Sequence, residues 1–96
     1  MGVIILIRRC VRREKNRNFL QAIERDKPTH PDFISETLTK VSEREDLPIR
    51  CKDCTTYVNV AHWKTADAFI EHMKPKRTHE ATFECEDRVR IVLEEI

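Results

Sequence analysis

Glycine is almost missing from this chain: Gly2 is the only one in 96 residues. Every loop must therefore be built without the left-handed backbone freedom that glycine supplies. Long apolar runs are missing too. None approaches the ~20 residues of a membrane helix, so a membrane-spanning segment is not expected. The opening run Val3-Ile4-Ile5-Leu6-Ile7 is too short for a signal peptide, and its arginines follow it instead of preceding it. Leu6 stands where a myristoylated Gly2 would be accompanied by Ser or Thr. No sign of charge prevails, with 18 Lys and Arg against 17 Asp and Glu, which argues against nucleic acid as a partner. Basic clusters such as Arg8-Arg9, Arg12-Arg13 and Lys74 to Arg77 read as solvated faces. A cytoplasmic location is the expectation, and there the four cysteines are expected as thiols or metal ligands rather than disulfides.

With no internal repeat, low-complexity tract or linker, residues 1–96 read as one domain. A chain this short hides only about two-thirds of its unfolded surface, so burial of a sheet face against a partner would help it. Residues 3 to 12 start as an apolar, β-branched run and pass into Arg-rich alternation, which predicts a strand that emerges into water. Phe19, Leu20, Ala22 and Ile23 lie at helical spacing within 15 to 27, ahead of Pro28. Phe33 to Ser42 reads as a second strand, followed by a long connection containing Pro48.

The clearest strand is Thr55 to Trp63. Alternation puts Tyr57, Asn59, Ala61 and Trp63 on one face and Val58, Val60 and His62 on the other. Thr65 stands at a helix N-cap with Asp67 in the first turn, and Ala66, Phe69, Ile70 and Met73 form an apolar stripe ended by Pro75. A last strand is expected over Arg88 to Glu94. The order βαββαβ, with right-handed crossovers, predicts an α+β ferredoxin-like fold: an antiparallel sheet in spatial order 4-1-3-2 with both helices on one face. The bare face is expected to be covered by a second copy in a homodimer.

The segment His30-Pro31-Asp32-Phe33-Ile34-Ser35-Glu36-Thr37-Leu38, and the run from Tyr57 through Trp63-Lys64-Thr65 into Ala68-Phe69, resemble the antibiotic biosynthesis monooxygenase family. The resemblance spans essentially the whole chain in order and spacing, with one departure: Asp32 stands where the family usually has glycine. It implies a dimeric α/β barrel with a small pocket between helices and sheet in each subunit. Several members are oxygenases that use no metal, flavin or haem and act on quinol-like aromatics; others degrade haem, and many have no known activity. The haem-degrading branch places an asparagine on the first strand and a second tryptophan nine residues after the first. Arg8 or Arg9 and His72 occupy those places here, which disfavours that route.

An oxygenase without a cofactor needs a base near an acidic phenol or enol, a donor for the oxyanion and a dry pocket. Asn59 and Trp63 share a strand face, so the amide is expected to hold a substrate oxygen and the indole to line the pocket. Phe69 is expected in the pocket wall, His72 as the base at its edge, and Arg8 as the neutraliser of a substrate anion. His62 is expected at the sheet-to-sheet interface, and His30 and His79 in loops. A small aromatic or quinol-type molecule is the expected substrate, with no cofactor. Two further readings remain open: a small-molecule-binding or stress-associated dimer without turnover, and a zinc-stabilised interaction module. For the latter, Cys51-x-x-Cys54 has the spacing of half a zinc site, and Cys10 and Cys85 are expected on the same rim of the sheet.

Overall fold

The computed structural model describes residues 2–25, 27–44, 46, 54–73 and 83–96. Strand β1 (Val3–Arg12) runs into a 3-10 turn (Arg13–Lys15) and helix α1 (Asn16–Arg25). Strands β2 (Phe33–Lys40) and β3 (Cys54–Trp63) follow, then helix α2 (Ala66–Met73) and strand β4 (Val89–Leu93). The four strands form one antiparallel sheet in the order β2-β3-β1-β4, the predicted 4-1-3-2 arrangement. The Pro48 connection, the Lys74 to Arg77 cluster, Pro75, His79 and Cys51 lie outside the described residues.

Side-chain alternation decides which sheet face the helices cover. Along β3, Tyr57, Asn59, Ala61 and Trp63 are buried, while Val58 and Val60 are half-buried and His62 is exposed. Register carries the same division across the sheet. Ile7 faces Asn59 on one side and Arg90 on the other, and Leu38 faces Asn59 from β2, so one row reads Leu38, Asn59, Ile7, Arg90. A register shift between Phe33 and Ser35 marks a bulge that lets Phe33 sit opposite Trp63. The opposite face keeps apolar side chains in solvent: Ile4, Val89, Ile91 and Leu93 are 36–47% exposed.

The helices do not share one core. Under α2, Ile5, Ile7, Ala61, Trp63, Ala68 and Phe69 pack together, with Val3, Phe33 and Met73 at the edge. Under α1, Val11, Phe19 and Tyr57 form a second cluster with Ile23, Leu38 and Phe83. The Thr65 hydroxyl accepts the backbone N–H of Ala68 at 3.1 Å, so the expected N-cap of α2 is present. Asn16 donates to the Thr55 hydroxyl at 2.8 Å and ties the start of α1 to β3. None of the described residues has positive φ, so the turns here avoid left-handed backbone altogether, Asp32 included. Gly2 is needed for a different reason. A Cβ there would stand 2.5 Å from the Trp63 carbonyl oxygen, so the close approach of β1 to the end of β3 excludes a side chain.

Candidate functional site

Between the two core clusters the sheet carries polar side chains. A cavity of about 420 Å³ opens there. Asn59, Trp63, Phe69 and His72, all singled out in the sequence, line it together. Trp63 is fully buried and is ringed by aromatic groups: His72 at 5.2 Å between ring centroids, His30 and Phe33 at 5.5 Å, and Phe69 at 5.8 Å. The indole is therefore fixed from several sides rather than lying loose on a wall. His30 is placed by its own loop, because its Nδ1 accepts the Asp32 backbone N–H at 3.0 Å. Asn59 is 2% exposed, and its Oδ1 has no hydrogen-bond partner. A buried amide oxygen left without a donor is costly unless something else satisfies it.

Arg8 is not brought to this site. The phase of β1 that puts Ile5, Ile7 and Val11 under the helices points Arg9 with them and Arg8 to the opposite face, across from Val58 and Val89. Arg9 lines the cavity instead, with its guanidinium carbon 5.7 Å from the centroid of the Phe19 ring. His62 stands on the open face as expected, 3.2 Å from the Ser35 hydroxyl through Nδ1.

The remaining wall is ionic, and composition gave no hint of it. Glu84 is 2% exposed, and its carboxylate is fully covered. Arg88 reaches it with both arms of its fork, Nε to Oε1 at 3.2 Å and Nη2 to Oε2 at 2.6 Å. Arg12 donates to the Glu84 carbonyl at 3.0 Å, and Val11 pairs with Glu84 as an isolated antiparallel bridge. Glu36 and Arg90 complete the lining. Burial first, and then the neighbouring Arg88, lower the pKa of Arg9 to about 10. Arg90 is pushed down by the same two causes in the same order.

Cys51 lies outside the described residues, so the four-cysteine set is described only at Cys10, Cys54 and Cys85. Among the described residues no group of three His, Cys, Asp or Glu side chains could hold a metal ion. Cys85 donates to the Cys10 carbonyl at 3.5 Å, and the Cys10 Sγ lies 3.9 Å from the Thr56 hydroxyl. Both thiols are free, whereas Cys54 is disulfide-bonded and so presents no thiolate to a metal. The expectation of cysteines without disulfides fails at that position.

No protein-family model and no curated protein matches this chain. Three solved structures do share its fold. A protein of Nitrosomonas europaea, provisionally described as an antibiotic biosynthesis monooxygenase, superposes with a TM-score of 0.75 at 14% identity, over 99% of this chain and 90% of that one. SnoaB from Streptomyces nogalater, a cofactor-independent oxygenase solved as an asparagine-to-alanine variant, gives a TM-score of 0.54 at 18% identity, over 98% and 92%. A Bacillus cereus protein, again provisionally described as an antibiotic biosynthesis monooxygenase, gives 0.54 at 13% identity, over 99% and 95%. The ferredoxin-like α+β fold is thus the fold of these oxygenase-type proteins. Among the described residues no helix is long and apolar enough to cross a membrane.

The two buried charges of the cavity wall respond in opposite directions to removal. Glu84→Gln strands Arg88 in a covered position, so urea denaturation should show a loss of about 3 kcal/mol. Arg9→Met removes a cation that the fold holds at a disadvantage and should stabilise the empty protein by about 1 kcal/mol, roughly 4–8 °C in Tm. The sign at neutral pH follows from linkage. The folded pKa, near 10, lies below that of the unfolded chain, so the penalty is complete below pH 10 and is relieved only as pH rises above it.

Proposed function

We propose that this protein is a cofactor-independent monooxygenase that oxidises a small hydroxyarene or quinol-type molecule. The observation that carries the reading is the meeting of a buried amide lacking a partner, Asn59, with Trp63, Phe69 and His72 around one cavity. It is supported by the shared fold with proteins described as monooxygenases, one of them cofactor-independent.

The chemistry asked of these residues is modest. Asn59 Oδ1 accepts the substrate hydroxyl, and its amide nitrogen is available to the oxyanion that forms once the proton leaves. His72, whose ring lies tilted against Trp63, assists proton removal; imidazole is suited to this near neutral pH. The electron-rich anion passes one electron to dioxygen, the radical pair recombines at a ring carbon, and the hydroperoxide loses water to leave a quinone. Hydroxyarene plus dioxygen gives quinone plus water, so no outside reductant is needed. Trp63 and Phe69 hold the ring and keep water from the intermediate.

The functional unit in this reading is a homodimer closed across the open sheet face, where Ile4, Val89, Ile91 and Leu93 are exposed. Sedimentation at micromolar concentration should give a dimer, and Ile91→Arg, which places a charge in the middle of that patch, should give a folded monomer. A wild-type monomer at 100 μM would overturn the dimer, on the order of the affinity a stable interface exceeds.

Oxygen uptake with a panel of hydroxyarenes tests the activity itself. Uptake above the spontaneous rate should fall roughly 10²-fold in Asn59→Ala and in His72→Ala, with both variants retaining the wild-type circular dichroism spectrum. Undiminished turnover in either variant removes that residue from the mechanism, and no uptake with any member of the panel removes the oxygenase reading.

A further inference from the structure

The cavity carries more positive charge than the fold can use. Three arginines and two glutamates line it: Arg9, Arg88 and Arg90 against Glu36 and Glu84. Arg88 and Glu84 cancel each other in a two-point ion pair. That leaves Arg9 and Arg90 facing Glu36, and among the described residues neither arginine makes an ion pair within 4 Å. The Nε of Arg9 is sealed from solvent and has no hydrogen-bond partner. Its contact with the Phe19 ring satisfies the face of the guanidinium and leaves the in-plane Nε donor unused.

All three arginines are half-buried, and like charges held together with reduced access to water are kept at a cost unless an anion completes them. Burial is the first cause of the depressed pKa values of Arg9 and Arg90; the neighbouring Arg88 adds to it and Glu84 offsets part. Position also matters. Arg90 shares a row of the sheet with Ile7 and Asn59, and Arg9 is two residues further along the same face of β1. A planar molecule whose hydroxyl reaches Asn59 would lie across Ile7 with its far end toward the two arginines.

We infer that the ligand of this cavity is a hydroxyaryl carboxylate, its hydroxyl at Asn59 and its carboxylate bridging Arg9 and Arg90. The carboxylate supplies the in-plane acceptors that a guanidinium fork matches, and one negative charge cancels the one positive charge left over among the lining residues. This assignment rests on the pocket of the proposed oxygenase but concerns which molecules enter it, so it can be tested without turnover.

The probes are 6-hydroxy-2-naphthoate and its carboxamide, which have nearly the same shape and differ in charge. Calorimetry on the wild-type protein should give the acid at least about tenfold tighter binding than the amide. In Arg9→Gln and in Arg90→Gln that ratio should fall toward one through loss of acid binding, while the amide binds as before. Arg9→Lys, which keeps the charge and loses the fork, should give an intermediate ratio and guards against a folding defect in the neutral variant. Equal binding of acid and amide in the wild type, failure of both to bind at millimolar concentration, or an acid preference that survives both Gln substitutions would each overturn the assignment. If the acid preference holds and no hydroxyaryl carboxylate consumes oxygen, the anion site stands and the oxygenase reading falls.

Discussion

One covered carboxylate holds the open end of this structure together. Glu84 bridges to Val11 on β1 through the backbone, receives Arg12 at its carbonyl and takes the fork of Arg88 on its side chain. Those three links fasten the segment before β4 to the end of β1, beside the cluster under α1. An apolar residue there would keep the two backbone links but lose the fork of Arg88. By pairing with Arg88, Glu84 also sets the residual charge of the cavity, leaving Arg9 and Arg90 to share Glu36. Structure and electrostatics are thus linked through a single residue.

The cavity exists because the two helices pack on separate clusters. α2 covers Ile5, Ala61 and Trp63, and α1 covers Val11 and Tyr57. Between them, β3 and β1 keep the alternation of a buried face but place Asn59 and Arg9 where further packing residues would otherwise stand. The polar side chains between them belong to neither cluster. Polar atoms there keep directed, unfilled bonding capacity, which is the condition a small-molecule site needs.

Much of this was legible in the sequence wherever a period could be counted. Alternation over Thr55 to Trp63 gave the buried face of β3, and with it the meeting of Asn59 and Trp63; the Thr65 cap gave the start of α2, and with it the approach of Phe69 and His72. The same rule applied to β1 selects Arg9, because Ile5, Ile7 and Val11 are in phase with it and Arg8 is not. Reading the Arg-rich end of that strand as emerging into water hid the phase, since charge suggested exposure where register required burial. Glu84 had no such signal. It sits among Glu, Asp and Arg with no period of its own, and its burial follows from a tertiary bridge that local pattern cannot encode. His30 was likewise invisible as an aromatic neighbour of Trp63, because loop residues reach their contacts through chain reversal rather than periodicity.

The division between what alternation fixes and what it leaves open also explains why the fold persists at 13–18% identity to the solved structures. The ferredoxin-like sheet needs apolar side chains in phase on the face under each helix, and many sequences supply that. Asn59, Arg9 and Arg90 belong to neither apolar cluster, so a polar exchange at these cavity-lining positions leaves both clusters intact. Chemistry can therefore change there without disturbing the packing of the sheet and helices. In this chain two of the three are cationic, and the cost is confined to a few side chains: Ile5, Trp63 and Phe69 pack among apolar neighbours. A fold tolerates local instability of this kind when the destabilised groups are few and face a cavity, and a bound anion acts on those same groups.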